Sequence, residues 1–260
     1  MSRAELVKRL FISTIGEDCA AEARRAGCGL EIAEFCWAQY IDVDREEHIA
    51  HVRELAKGLE VPLEAGWFHA PFAEISPCAI DPRVLALTRE RYLQSLETAS
   101  ALGIRRLVIH GGYIPYVYYP QTYVEGSIRF WRELLRELPV DITIALENVM
   151  EPDASMLVEI AEGVGDKRLG LCLDLGHANC VVSKSPPMEW IDAMSKHLLH
   201  VHIHNNYGAG DLHNSLGDGT VPMEAALDRV TELCPNATFT IENMVCKPSI
   251  DWLESRGYLG

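Results

Sequence analysis

The chain has 260 residues, 48% of them apolar, and a formal net charge of −15 with histidine neutral. That length suits one large domain or two small ones, the apolar share is ample for a sizeable core, and no apolar run approaches the roughly 20 residues that span a bilayer. The acidic balance repels nucleic acid and a negative membrane leaflet. The N-terminus MSRAELVKRL lacks the apolar segment of a signal peptide, so a cytoplasmic protein with no membrane partner is expected.

In chain order, short apolar segments alternate with helical patterns. Strands are predicted over 9–15 (RLFISTI), 29–35 (GLEIAEF), 63–69 (LEAGWFH), 106–111 (RLVIHG), 142–148 (ITIALEN), 169–175 (LGLCLDL), 199–205 (LHVHIHN) and 238–243 (TFTIEN). Helices are predicted over roughly 16–27, 43–59, 81–102, 123–138, 153–164, 187–197, 222–233 and 248–257. Asp81-Pro82 places an N-cap before a first-turn proline, and Gly103 supplies the stop of the same helix. Asp153 caps the fifth helix, and Pro186-Pro187 lead the sixth. Strand–helix alternation implies parallel strands with helical crossovers. Eight such units without a polar linker predict a single (β/α)8 TIM barrel of the α/β class over residues 1–260. A doubly wound open sheet is the alternative. It usually carries a glycine-rich phosphate loop after its first strand, where this chain reads ISTIGEDCAAEA.

Eight cysteines fall at irregular spacings with no C-x-x-C pair, which argues against a thiolate zinc site and for reduced, mostly packed thiols. Cys36, Cys78 and Cys180 follow strand ends and are candidates for the edge of a pocket. The longest irregular stretches follow strands three, four and seven, on the face where a parallel barrel builds its active site. The loop after strand four holds Tyr113, Tyr116, Tyr118 and Tyr119. Their rings would suit a sugar or a base, or the loop packs on its own aromatics. Tyr113 and Tyr116 are taken as substrate-contact candidates.

Strand ends also carry the chemistry. His69, His110, Glu147, Asp174 with His177, His202, Asp211 with His213, and Glu242 all sit at or just past the end of an apolar run. Side chains alternate along a strand, so His200, His202 and His204 share one face, and Leu199, Val201 and Ile203 the other. The apolar face belongs against helices and the histidines inside the barrel. The same test turns Glu147, Asp174 and Glu242 inward at the same end. Three buried carboxylates would repel one another without a cation. Oxygen ligands with one imidazole suit Zn²⁺, Mn²⁺, Co²⁺ or Mg²⁺. A lone strand-end histidine is usually only a polar rim residue, but nine metal-capable groups at successive strand ends point to one to three divalent ions. His200 reads as deeper core, and His204 as either a substrate contact or a support for a ligand. His48, His51 and His197 lie on helical patterns and read as solvated or packed.

The segments ALENV, CLDLGHA, HVHIHNN, the D-x-H-x-x-LGDG loop and TIENM together resemble the xylose-isomerase-like TIM-barrel superfamily of sugar isomerases, sugar epimerases, inosose-processing enzymes and endonuclease IV. The resemblance implies that Glu147, Asp174, His202 and Glu242 form the metal site shared by the epimerases. It also implies that Glu147 and Glu242 are the acid/base pair. The substrate would be a sugar, sugar phosphate or polyol, a small carbohydrate or phosphorylated molecule. His69, His110, His177, Asp211 and His213 match the further ligands that make endonuclease IV a three-zinc phosphodiesterase. A two- or three-zinc phosphoesterase is therefore the alternative, with a non-catalytic metal- or sugar-binding barrel behind it. Against DNA stand the charge balance and the compact barrel; the Phe72 segment APFAEISP offers an apolar wedge but carries an acid and no base. Barrels of this superfamily often pair, which leaves room for a homo-oligomer.

Overall fold

The computed structural model describes residues 6–259. Eight parallel strands close into one barrel in sequence order. They are β1 (Leu10–Ser13), β2 (Gly29–Ile32), β3 (Trp67–His69), β4 (Arg106–His110), β5 (Thr143–Glu147), β6 (Leu169–Asp174), β7 (Leu198–Ile203) and β8 (Thr238–Ile241). Closure is made by β1 on β8, with Leu10 opposite Phe239 and Ile12 opposite Ile241. The crossovers carry helices α1 (Cys19–Ala26), α2 (Gln39–Asp42), α3 (Arg45–Leu55), α4 (Pro82–Ala101), α5 (Pro120–Leu135), α6 (Ser155–Val164), α7 (Leu175–Asn179), α8 (Pro187–Met194) and α9 (Met223–Leu233), and α10 (Lys247–Ser255) follows β8. Among the described residues, no helix is long and apolar enough to cross a membrane.

Local signals explain the boundaries. Asp81 Oδ1 accepts the Arg83 N–H at 2.7 Å, Pro82 takes the first turn of α4, and Gly103 ends the segment at φ +81°. Asp153 Oδ1 likewise accepts the Ser155 N–H at the start of α6. The fourth crossover helix starts three residues earlier than the pattern suggested, because Pro120 is itself a first-turn residue. Strand three is shorter than predicted: Leu63–Ala65 turn as a 3₁₀ segment after Pro62. The second strand ends at Ile32, where Glu34–Cys36 form another such turn.

Period-two alternation sorts the side chains into two cores. Leu10, Ile12, Leu30, Ile32, Leu107, Ile109, Leu171, Leu173, Val201, Ile203, Phe239 and Ile241 face the helices and are buried with them. Inside the barrel, Phe11, Trp67, Val108, Ala145 and Cys172 form a separate apolar plug. Arg106 caps the plug from the strand-start side, its guanidinium 5.0 Å from the Trp67 ring and 5.2 Å from Phe11. The register of β6 on β7 slips between Leu171 and Cys172, so Leu198 pairs with Leu171 but His200 pairs with Cys172. This bulge corrects one expectation. Leu199 does not share the outer face of Val201; it packs against the inner plug, while Leu198 joins the outer core. Above the plug the interior turns polar, first with Glu31, His200, Thr238 and Thr240, then with the groups at the strand ends.

Candidate metal centre

His202 stands at the middle of the mouth. It is fully buried, and its Nδ1 lies 3.5 Å from Glu147 Oε1, 3.5 Å from Glu242 Oε2 and 3.8 Å from Asp174 Oδ2. These are too long for hydrogen bonds, and His202 Nδ1 has no hydrogen-bond partner. Glu147 Oε2 is also buried without one. A buried imidazole nitrogen and buried carboxylate oxygens held just out of mutual bonding range fit a cation between them.

The other imidazoles follow a common pattern. His69 Nδ1 faces its neighbour's carbonyl, Ala70 O, at 3.0 Å, His177 Nδ1 faces Asn148 O at 2.8 Å, and His213 Nδ1 faces Glu242 O at 2.9 Å. A carbonyl only accepts, so each Nδ1 carries the proton and leaves Nε2 to the site. His69 Nε2 then lies 3.3 Å from Glu147 Oε2, and His110 Nε2 lies 3.5 Å from the same oxygen. His177 Nε2 is 3.3 Å from Asp211 Oδ2, which His213 Nε2 meets at 2.8 Å. Glu147 therefore joins two groups, with Oε2 between His69 and His110 and Oε1 toward His202 and His177. Metal-capable trios include His69, His110 and Glu147; Glu147, Asp174 and His177; and His204, His213 and Glu242.

Asp174 has a local task as well. Its Oδ1 accepts the His177 N–H at 2.6 Å and caps α7, fixing where His177 projects. Asn148 clamps the Asp174 backbone from both sides, at 2.8 and 3.1 Å.

Without a cation the charges settle unevenly. Burial opposes ionisation of Glu147, but His202 and His110 with contacts from His177 outweigh it and hold the carboxyl well below its usual range. Burial raises Glu242; His202 opposes this while Glu147 and Glu31 add to it, and the net shift is upward. Burial likewise drops His110 to about 3. His213 rises to about 9, because Asp211 and Glu242 outweigh its burial.

Above these groups lies a cavity of about 380 Å³. His69, His110, Glu147, His177, Asp211, His213 and Glu242 form its polar floor, and Ile15, Ala33, Cys36, Trp37, Phe72 and Val149 its apolar wall. A larger open groove, about 660 Å³, runs past Lys167 and Lys196 at the strand starts, at the other end of the barrel. Two groups of candidate contacts lie off this cavity. Tyr113 is buried against Tyr123, ring centroids 5.1 Å apart, and Tyr116 projects wholly into solvent; neither lines the cavity. The aromatic surface comes instead from Trp37 and from Phe72, which stacks on His110 at 4.3 Å. His204 is also absent from the wall. It is fully buried, its Nε2 3.0 Å from Asp174 Oδ2, with its ring stacked 4.0 Å behind His213. Of the cysteines, all eight are free thiols and Cys36 alone reaches the cavity, where burial pushes it up to about 12.

One residue escaped sequence reasoning. Glu31, on β2, is completely buried and meets His202 Nε2 at 3.0 Å and His200 Nε2 at 2.9 Å. Its one visible signal was an acid on the inward-facing parity of an apolar strand.

A family model described as xylose isomerase-like TIM barrel matches residues 21–255. An uncharacterised protein of Methanocaldococcus jannaschii is 30% identical over 207 residues, 76% of this chain and 69% of that one. A probable endonuclease 4 of Mycobacterium leprae is 27% identical over 61% of this chain and 65% of its own length. Among solved structures, a D-tagatose 3-epimerase-like protein superposes with a TM-score of 0.76 at 24% identity, covering 96% of both chains.

Proposed function

This chain belongs to the xylose isomerase-like TIM barrel family, and we propose that it is a divalent-metal-dependent isomerase or epimerase of a sugar, sugar phosphate or polyol. One observation carries the metal: the bare His202 Nδ1 confronting Glu147, Asp174 and Glu242 within 3.8 Å. These four residues would hold the ion. When bound, it supplies Lewis-acid polarisation of a substrate carbonyl and hydroxyl.

The chain supplies the rest. Glu147 and Glu242 both reach the cavity floor, each 3.5 Å from His202. One carboxylate takes the proton from the carbon beside a carbonyl. The other returns it, to the opposite face for an epimerase or to the neighbouring carbon for an isomerase. Trp37, Phe72 and Ile15 exclude water and pack against the apolar face of a ring. The cavity lies at the small end of the roughly 300–1,000 Å³ range of ligand sites, which suits a small molecule. Among the described residues, the loops following the eight strands carry one lysine, Lys184, and no arginine. A nucleic-acid backbone finds no cationic track there.

A second reading has its own support. Glu147 Oε2 between His69 and His110, and Asp211 between His177 and His213, favour more than one ion and a phosphoesterase. The two readings separate in one experiment. Metal-loaded protein is incubated in D₂O with a panel of ketoses, aldoses and their phosphates, and of polyols carrying one keto group, and in parallel with a phosphodiester. The expected result is deuterium at a carbon beside a carbonyl, lost in Glu147→Gln and Glu242→Gln. Phosphodiester hydrolysis without any exchange would overturn the isomerase reading in favour of the second.

A further inference from the structure

We propose that Glu31 is the positioning residue that makes His202 a metal ligand, by holding its ring in the tautomer whose Nδ1 is bare. The proposal rests on the metal-centre reading above. His202 is turned the opposite way from His69, His177 and His213. Those rings give Nδ1–H to a backbone carbonyl and offer Nε2, whereas His202 offers Nδ1 and has no carbonyl behind it. Glu31 stands in that place, Oε1 3.0 Å from His202 Nε2.

The surroundings of Glu31 fix the direction of that bond. Its Oε2 receives the Thr240 hydroxyl at 2.6 Å and meets His200 Nε2 at 2.9 Å. His200 Nδ1 is turned to Thr238 Oγ1 at 2.6 Å, and that hydroxyl already accepts the Trp67 indole N–H at 3.0 Å. The other acceptor in reach of the Thr238 hydroxyl, Leu199 O, is 3.4 Å away, so its proton goes to His200 Nδ1 at 2.6 Å. His200 Nε2 then carries a proton, directed between Glu31 Oε2 and Thr240 Oγ1, 2.8 Å away. Three groups donate to Glu31 at once, which an acceptor-only carboxylate satisfies. His202 Nε2–H is the third donor, and its lone pair is left on Nδ1.

The support is rigid. His200 stacks on Trp67 with centroids 4.3 Å apart, and Arg106 closes the layer beneath at 5.0 Å. Glu31, His200, His202 and Thr240 are all completely buried, so no water competes for these bonds. A carboxylate behind an imidazole orients the ring and raises its basicity toward a metal.

The test is zinc titration of wild type and Glu31→Gln, with long-range proton–nitrogen spectra of the zinc-loaded, ¹⁵N-histidine-labelled protein. The expected result is a His202 that keeps Nε2–H and carries zinc on Nδ1, and a loss of zinc affinity in Glu31→Gln of about 10–100-fold. A purely structural Glu31 would lower the melting temperature of the metal-free variant and leave the zinc affinity of the folded protein unchanged. That result, or a His202 bound through Nε2, overturns the proposal. Should Glu31→Gln not fold, Thr240→Val removes one donor from the same carboxylate and is expected to weaken zinc in the same direction; unchanged affinity there also overturns it. Wild-type protein that binds no zinc sinks the metal-centre reading itself.

Discussion

Gly176 lies so close to His204 that a Cβ at position 176 would stand 1.9 Å from the imidazole Cε1. The first turn of α7 is thus pressed onto the ring that supports Asp174. Gly176→Ala should push His204 off Asp174, at a cost of about 1–3 kcal/mol from overpacking. In a chain of this size that lowers Tm by about 2–4 °C per kcal/mol. Metal should restore less stability to the variant than to wild type. Scanning fluorimetry with and without zinc checks both, and an unshifted Tm would mean that the ring yields freely.

The candidate ligands at the strand ends were legible because alternation inside one strand decides which way a side chain faces. HVHIH and LCLDL each state their own parity, and the structure places His202 and Asp174 on one face of the mouth. Glu31 was not legible, because its partners lie 169 and 171 residues away and no local pattern announces them. Leu199 was misplaced because a bulge is a property of two strands in register. The tyrosines were open between two readings for another reason: composition suggests a stacking surface, but only the path of the loop decides whether a ring faces the cavity.

If the second reading holds and His69, His110 and Glu147 carry an ion of their own, His110→Ala should remove about one equivalent of metal and leave the ion at His202; under the one-ion reading it should remove none, since His110 meets only Oε2 of Glu147. Elemental analysis of both proteins after equilibration with zinc reads this directly. Loss of all metal would show that one shared ion occupies the whole floor.

Phe72→Ala should raise KM by about 2–10-fold, the fold-change of an aromatic contact worth about 0.5–1.5 kcal/mol. Phe72 walls the cavity and packs on His110, whereas Tyr116 lies in solvent. Tyr116→Ala should leave KM unchanged. Steady-state kinetics on the substrate found by deuterium exchange compares the two, and the reverse order would return the binding role to the tyrosine loop.

Asp18 joins the first and last β/α units of the barrel. From the loop after β1 it accepts the Cys246 N–H at 2.6 Å and the Lys247 N–H at 3.0 Å, capping α10. Burial opposes its charge, but these two backbone donors outweigh it and bring its pKa below the ordinary 3.8. A carboxylate with a lowered folded pKa stabilises the fold above its unfolded value. The contribution is lost as the pH falls from 3.8 through the folded value. Asp18→Ala should therefore destabilise by about 1 kcal/mol at neutral pH, a cap's usual worth at a partly exposed position. The gap to wild type should close as the pH drops below 3.8. Urea unfolding of the two proteins across that range decides it: a constant gap at every pH would assign the loss to packing and leave the charged cap with no part in holding α10 against β1.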